Sequence, residues 1–315
     1  MLAVTENLVK FGQVNIDQVA WIQWTTSQAE AQGFFGSDGH VYSKKGLALS
    51  LAQAPLYALA LYLPGLGMLQ TVSLLNAAIT ALTGMLIFMF VHRLNFSTLT
   101  AVITALIFGL ATIAAVYAKY LFSEPLAGLL LLVAAYMLFA YHQEGGLRHV
   151  VIAGLAAGLA VLTRANNLFA LPIFGLYLIY LGVRGQGLGA GEQVASNRLL
   201  AVKRNMQYVT RFTFYVLRGS LPSLLLFTLA VAIPAAILLT YNTLRSGNPL
   251  DTGYDLTLFS PNILLGLYKL LFSPLRGLFV YSPILLFSLP GWWLLRKIWP
   301  AESWLFAGLI GVTVG

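Results

Sequence analysis

Cysteine is absent from the 315 residues, and charged side chains are scarce, at 9% of the chain. Without cysteine the protein has neither a disulfide framework nor a thiolate metal site. Charged residues make up about a quarter of an average soluble protein. So few charges, together with 59% hydrophobic residues, predict an integral membrane protein. The net charge of +8 is explained by basic loops on the cytoplasmic side, because no basic motif interleaved with aromatic residues indicates a nucleic-acid partner.

Familiar catalytic signatures are missing as well. The sequence contains no P-loop, no GxSxG, no HExxH and no CxxC motif, and it shows neither an internal repeat nor a low-complexity tract. Function therefore has to be argued from the few polar side chains that lie between the apolar runs.

Uncharged runs set the architecture, because a helix needs about 20 apolar residues to cross a bilayer. We predict an all-α, polytopic transmembrane protein with juxtamembrane helices in its extracytoplasmic loops. The predicted spans lie near residues 69–91, 97–118, 125–143, 149–164, 166–183, 219–241, 277–295 and, cut short by the end of the sequence, 303–315. The uncharged run 46–92 allows two spans, or one span preceded by an apolar segment in the interface.

Basic residues orient these spans. The loop 184–218 holds six basic residues against one acidic residue, so we place it in the cytoplasm. Counting spans back from it puts residues 1–68 outside, with a juxtamembrane or re-entrant helix at 47–64, and makes 242–276 a second extracytoplasmic loop. A chain that starts outside needs an earlier span, so we expect this sequence to be an internal part of a longer multispan protein.

Glu124 is the only acidic residue between Asp38 and Glu144, and it lies where one apolar run ends and the next begins. A carboxylate at membrane depth is costly and usually lines a polar cavity, which makes Glu124 a candidate site residue. Because Pro125 follows, Glu124 is an equally good candidate for a helix cap, where its charge favours the positive end of the helix dipole. The two roles are compatible.

The outward-facing turns gather charges at one membrane face. These residues are Asp38, Lys44, Lys45, Lys119, Glu124, Arg164, Arg245, Asp255 and Arg276. Cations at this level suit a phosphate whose lipid tail stays in the bilayer, and a nearby carboxylate can deprotonate an attacking hydroxyl. The simpler interpretation of each cation is contact with lipid headgroups, and the simpler role of Asp38 is in a tight turn. Arg164 is the hardest to explain in this way, because it closes a short span.

Five motifs occur in an order that resembles a known family. They are Asp38-Gly-His-Val-Tyr42-Ser-Lys44-Lys-Gly46, Tyr117-x-Lys119-x-x-Phe-Ser-Glu124-Pro-Leu, Gly158-Leu-Ala-Val-Leu-Thr-Arg164, Tyr241-Asn242 with Gly247-Asn-Pro-Leu-Asp-Thr-Gly253-Tyr254, and Ser273-Pro-Leu-Arg276-Gly-Leu-Phe-Val-Tyr281-Ser-Pro283. Together they resemble bacterial GT-C glycosyltransferases, in the group related to protein O-mannosyltransferases and lipid A aminoarabinose transferases. The resemblance covers most of the chain.

The resemblance implies an inverting glycosyltransferase in the plasma (inner) membrane. Its donor would be a polyprenyl-phosphate sugar, its acceptor a protein, lipid or glycan, and its active site would face the extracytoplasmic side among membrane lipids. No cofactor is implied beyond the lipid-phosphate sugar as co-substrate, and the need for a divalent metal is left open.

The resemblance also assigns roles to residues. The family uses an aspartate of the first loop as base, in an acidic motif that precedes the start of this sequence, so this part of the protein is expected to lack the principal base. Asp38 is the candidate catalytic residue that remains in that loop. Glu124 resembles a second acidic position, which would orient donor or acceptor. The candidate substrate-binding residues are Lys119, Arg164, Tyr42, Lys44, Tyr254 and Arg276.

Two other functions compete with this interpretation. One is a transporter or flippase of a lipid-linked or small polar solute, and the other is a non-catalytic membrane subunit. Transporters tend to have paired halves and polar groups near the bilayer midplane. The absence of a repeat and the charges at one face favour the enzyme.

Overall fold

A computed structural model describes residues 1–19, 33–63, 65–190, 205–251, 263–274 and 277–314. The helices in this part of the chain are α1 Leu2–Phe11, α2 Ala48–Tyr62, α3 Met68–Arg93, α4 Thr98–Ala111, α5 Ala114–Tyr117, α6 Glu124–Glu144, α7 Leu147–Thr163, α8 Ala170–Ala190, α9 Asn205–Ser246, α10 Ile263–Phe272, α11 Leu278–Tyr281, α12 Ser288–Ile298 and α13 Pro300–Val314. Short 3-10 helices cover Asp17–Val19, Ala165–Phe169 and Pro283–Phe287. Two three-residue strands, β1 Gly33–Phe35 and β2 Val41–Ser43, form an antiparallel hairpin. The predicted all-α class is confirmed.

Four described helical segments are long and apolar enough to cross a membrane. They are Met68–Arg93, Glu124–Glu144, Ala165–Val183 and Ser220–Ser246. Elsewhere the helices at the predicted spans are shorter or interrupted, so those crossings stay predictions. Among the shorter apolar helices is α2, which contains Pro55 and occupies the segment predicted to be juxtamembrane or re-entrant.

Helix α7 is the centre of the bundle and packs most extensively on α6 and α9. Its face toward α9 is built from small residues, which let two backbones approach closely. A Cβ atom on Gly154 would lie 2.6 Å from the carbonyl oxygen of Phe227, and one on Gly158 would lie 2.9 Å from Pro234. The main core combines this helix with Phe139 of α6 and Phe174 of α8, both fully buried.

Two predicted spans contain breaks that hydropathy does not reveal. The run 97–118 divides into α4 and α5, because the Thr112 hydroxyl accepts a hydrogen bond from the Ala114 N–H at 3.2 Å and thereby replaces a helical partner. The run 277–295 divides into α11, a 3-10 turn and α12. Pro283 at the start of that turn lacks the N–H that would continue a helix.

The amino-terminal elements cover one end of the bundle. Helix α1 and the hairpin share an apolar cluster with the starts of α2 and α6 and the ends of α7 and α9. Two glycines allow this contact: a Cβ atom on Gly36 would lie 2.4 Å from the Arg245 carbonyl oxygen, and one on Gly46 would lie 2.2 Å from that of Leu162. Arg245, itself buried, donates to the Ser43 carbonyl at 3.0 Å and lies over the Tyr241 ring. The hairpin is thus fixed close to the end of α7.

At the opposite end of the bundle, one buried carboxylate holds α13 in place. Glu302, in the first turn of α13, accepts hydrogen bonds from His142 Nδ1 of α6 and Tyr177 Oη of α8, each at 2.8 Å. Since α6 ends near His142 and α13 begins at Pro300, the two helices run antiparallel. The far end of α13 therefore lies beside the start of α6.

Candidate functional site

Glu124 and Arg164 meet at the end of the bundle that carries the hairpin. Glu124 is the first residue of α6, directly after the loop that follows α5, and Arg164 is the extended residue that ends α7. Nη1 of Arg164 donates to Oε1 of Glu124. About a third of each side chain is exposed, 34% for Arg164 and 39% for Glu124, so the pair is accessible to a ligand.

The Glu124 carboxylate is only half satisfied by protein. Within the described residues its Oε2 atom is buried and has no hydrogen-bond partner. Because a buried polar atom without a partner costs free energy, this oxygen is suited to a hydrogen bond from a ligand or a water molecule. The predicted cap role of Glu124 is wrong, because Ser123 occupies the N-cap position of α6, where its side chain makes no cap hydrogen bond, and Glu124 is the acidic residue of the first turn.

The ion pair lies at the head of a cavity of about 500 Å³ between α6 and α13. Four polar residues line its head: Glu124, Arg164, Asn166 and Asn167. The walls beyond them are mostly apolar and come from Ala127, Gly128, Leu131, Leu132 and Ala135 of α6 and from Phe306, Leu309, Ile310 and Thr313 of α13. From Glu124 to Ala135 the helix rises about 16 Å. The cavity is a groove with a charged head and an apolar body.

Asp38 and Tyr42 form a second pair in the hairpin. Tyr42 Oη donates to Asp38 Oδ2 at 2.7 Å, and the His40 N–H donates to Asp38 Oδ1 at 3.0 Å. The hydrogen bond from Tyr42 holds the pKa of the Asp38 carboxyl below its ordinary value. Burial, followed by that same hydrogen bond, raises the pKa of Tyr42 to about 12. Asp38 is therefore ionised at neutral pH, and its contact with His40 is the one expected of a turn aspartate.

His40 and Asp17 form a third pair, on the outer surface of the hairpin. His40 Nδ1 donates to Asp17 Oδ2 at 2.6 Å, and the other oxygen of Asp17 accepts the Val41 N–H at 2.7 Å. The hydrogen bond that His40 donates to Asp17 raises the pKa of His40 above its ordinary value.

We expect an NMR titration to find the His40 pKa above that of an exposed histidine and to find a lower value in Asp17→Asn. A raised folded-state pKa stabilises the protein below the unfolded-state pKa, and this contribution is lost as the pH rises through the folded-state value. The Asp17–His40 contact should therefore weaken as the pH rises through the raised pKa of His40. Equal His40 titration in Asp17→Asn and in the unchanged protein would contradict the pairing.

The remaining candidate residues are Lys119, Lys44, Tyr254 and Arg276. Lys119 is exposed, and within the described residues its side chain makes no hydrogen bond or ion pair. Lys44 is half-buried in the segment that follows β2. Tyr254 and Arg276 lie outside the described residues. The structure thus joins Glu124 to Arg164 and Asp38 to Tyr42, as two separate pairs. In the part of the chain that the structure describes, no three histidine, aspartate or glutamate residues form a group that could hold a metal ion.

Several residues of this end of the bundle were not among the candidates. Asn166 and Asn167 line the head of the groove. Asn76, far away in the sequence, donates to the loop that precedes Glu124. The sequence marks Asn76 only as an amide side chain within an uncharged run of 47 residues. A polar side chain in such a run needs a hydrogen-bond partner. Nothing in the sequence indicated which partner it would find.

Comparison with protein families matches residues 62–244, more than half of the chain, to the family described as dolichyl-phosphate-mannose-protein mannosyltransferase. The matched range contains Lys119, Glu124 and Arg164, whereas Asp38 and the rest of the hairpin precede it. The resemblance to protein O-mannosyltransferases inferred from the motifs is thereby confirmed. No curated protein and no solved structure gave a significant match.

Proposed function

The chain belongs to the dolichyl-phosphate-mannose-protein mannosyltransferase family, and from this membership we propose that it transfers a sugar from a polyprenyl-phosphate donor to an acceptor at the extracytoplasmic face of the membrane. Membership in the family makes the protein a membrane glycosyltransferase of the mannosyltransferase type. The donor, the acceptor and the face of action are the proposal. The observation that supports it best is the groove whose charged head opens onto an apolar body.

The head of the groove suits the phosphate of the donor. A guanidinium forms paired, charge-assisted hydrogen bonds with phosphate oxygens, and only one nitrogen of Arg164 is bound to Glu124. Arg164 therefore has donors left for a phosphate. Asn166 and Asn167 line the same head. The Asn166 amide is exposed and can donate to phosphate or sugar oxygens, whereas Asn167 Nδ2 already donates to the Ala160 carbonyl at 2.8 Å and has one N–H left.

The body of the groove suits the lipid chain. Its walls on α6 and α13 are built almost entirely from alanine, glycine, leucine, isoleucine and phenylalanine. An isoprenoid chain would lie between these helices without exposing apolar surface to water. Because the groove runs along two helices of the bundle, the tail stays at membrane depth while the phosphate remains near the surface.

Glu124 orients the sugar or the acceptor. Its Oε2 atom has no protein partner in the described residues, so a hydroxyl of either substrate can donate to it. Its Oε1 atom meanwhile keeps Arg164 in place. In this arrangement Arg164 binds the leaving phosphate and stabilises the charge that develops on it during transfer. The base that deprotonates the acceptor hydroxyl is a separate group, for which Asp38 of the first loop remains the candidate of this chain.

The position of the charges favours transfer over transport. A transporter is expected to have its polar groups near the bilayer midplane. Here the Glu124–Arg164 pair lies at the start of α6, while the ion pair between Arg93 and Glu144 lies at the end of the same helix. The apolar stretch between the two ends includes Leu131 and Leu138, both buried.

The test is sugar transfer in sealed vesicles that contain the protein. Radiolabelled polyprenyl-phosphate mannose and a second polyprenyl-phosphate sugar are supplied in the bilayer. A membrane-impermeant acceptor peptide or glycan is added to right-side-out or to inside-out vesicles. We expect label on the acceptor only when it faces the extracytoplasmic surface. Both this chain and a version extended at its amino terminus are tested, to learn whether residues 1–315 suffice for transfer.

Each outcome is informative. Transfer by the extended version alone would support the proposal and assign the principal base to the added segment. Transfer to an acceptor on the cytoplasmic face would contradict the proposed face of action. Movement of labelled lipid between leaflets, with no label on any acceptor, would favour the flippase alternative.

A further inference from the structure

The loop that precedes Glu124 is hydrogen-bonded to two side chains that are distant from it in the sequence. Residues 112–123 connect α4 to α6 and contain Lys119 and the four-residue helix α5. Turn hydrogen bonds within the segment satisfy most of its N–H groups, whereas the Ile113 N–H and the carbonyls of Tyr120 and Phe122 bond to side chains of other elements. The partners that the segment has found therefore determine its position.

Asn76 of α3 holds the end of the segment that is nearer to Glu124. Its side chain is fully buried, and Nδ2 donates both to the Tyr120 carbonyl and, at 3.0 Å, to the Phe122 carbonyl. Phe122 lies two residues before Glu124. Asn76 Oδ1 has no partner among the described residues, so it is the amide donors that give this asparagine its function in the fold.

Ser282 holds the other end of the segment. Its side chain is fully buried between α11 and the following 3-10 turn. Ser282 Oγ accepts the N–H of Ile113 at 2.9 Å, across 169 positions of sequence. Ile113 lies at the break between α4 and α5, where its N–H has lost a helical partner. Ser282 replaces that partner and fixes the place at which the segment leaves α4.

We propose that Asn76 and Ser282 are positioning residues of the transfer site, which hold the segment 112–123 so that Glu124 meets Arg164 at the head of the groove. This inference rests on the proposed function. The two side chains hold the segment at Ile113 and at Tyr120 and Phe122, on either side of Lys119. Fixing the backbone at both points sets where α6 begins and how the Glu124 carboxylate approaches the guanidinium. Neither residue touches a substrate in this scheme.

Transfer depends steeply on such placement, because a displacement of about 1 Å caused by a distant mutation can cost up to a hundredfold in rate. We therefore expect Asn76→Leu and Ser282→Ala each to lower kcat about tenfold. A residue that only stabilised the fold would lower the amount of folded protein and leave kcat per folded molecule unchanged.

The experiment combines kinetics with amide hydrogen exchange on the full chain in its membrane or detergent. Four variants are compared: Asn76→Leu, Ser282→Ala, Ser282→Thr and Thr83→Val. Ser282→Thr keeps the accepting oxygen and should retain most activity. Thr83 is a buried polar residue two turns further along α3, and among the described residues its hydroxyl bonds only to the Ile79 carbonyl of the same helix. Its replacement is the matched control and should leave transfer unchanged.

We expect the amides of residues 113–123 to exchange at least about fivefold faster in Asn76→Leu and Ser282→Ala, as in a locally destabilised segment. Unchanged exchange in both variants would overturn the inference, whatever their activity. Faster exchange with kcat unchanged would overturn the positioning role. If neither this chain nor its amino-terminally extended version transfers sugar, the proposed function is contradicted, while the exchange data still decide whether these two side chains hold the segment.

Discussion

Arg164→Ala is expected to lower sugar transfer at least about tenfold, the scale of losing one positioned charge contact in an active site. Glu124→Gln is expected to lower it by at least the same factor. The two residues form one ion pair at the head of the groove, so the losses should not add in the double variant. The measurement is kcat/KM for the polyprenyl-phosphate donor, in the upstream-extended protein, corrected for the amount of folded enzyme.

A charge swap separates a site role from a purely structural one. In the double variant Glu124→Arg with Arg164→Glu the ion pair can form again, but the cation has moved to the start of α6. If the pair served only to join α6 to α7, the swap would restore transfer. We expect it to restore folding and not transfer, because the phosphate then meets a carboxylate where it needs a guanidinium.

The matched control is the ion pair at the other end of α6. Arg93 of α3 binds Glu144, and its Nε donates to Gln143 at 2.8 Å. Arg93→Ala also removes the guanidinium of an ion pair, but at the opposite end of α6 from the groove, so transfer per folded molecule should stay within about twofold. Equal losses in Arg93→Ala and Arg164→Ala would mean that both pairs act only through the fold.

The sequence was informative where charge is scarce. An acid at the junction of two apolar runs and an arginine that closes a short run both stand out against 9% charged residues. Because the spans alternate in direction, charge counting also assigned Glu124 and Arg164 to the same membrane face. The pairing of their atoms could not be derived, since it depends on how far Arg164 extends from the end of α7 and on where α6 begins.

The groove could not be predicted, because it is a property of packing. Its two walls come from α6 and α13, which are more than 150 residues apart in the sequence. They are brought together by Glu302, whose partners His142 and Tyr177 were not recognisable beforehand. Hydropathy records only that each helix is apolar. It does not record which apolar faces remain uncovered.

Breaks within the apolar runs could not be predicted from hydropathy either. Hydropathy treats 97–118 as one continuous run, but the backbone leaves the helix at Thr112 and Ile113. The hydroxyl of Thr112 and that of Ser282 satisfy the freed N–H groups. A polar side chain near a possible break is a local signal, whereas its partner on a distant element is not. The loop that carries Lys119 owes its position to this kind of contact.

Gly128→Leu is expected to raise the KM for a long-chain polyprenyl-phosphate donor about tenfold or more, with little change in kcat. Gly128 lines the groove one turn beyond Glu124, and a Cβ atom built on it meets nothing within 4 Å. A leucine would therefore project into open space, where the lipid chain is proposed to lie, without displacing a neighbouring helix. Loss of binding that is shared by ground state and transition state raises KM and spares kcat.

Chain length and two control variants make this prediction specific. A donor with a short lipid chain should be affected much less by Gly128→Leu, because it does not reach far into the groove. Gly128→Ala should bind donor almost normally and gain about 1 kcal/mol of helix propensity. Gly175 of α8 also has open space around it and does not line the groove, so Gly175→Leu should leave KM unchanged. If Gly128→Leu has the same KM as the unchanged protein for the long-chain donor, the lipid binds elsewhere. If it lowers kcat alone, the groove serves the reacting groups rather than the tail.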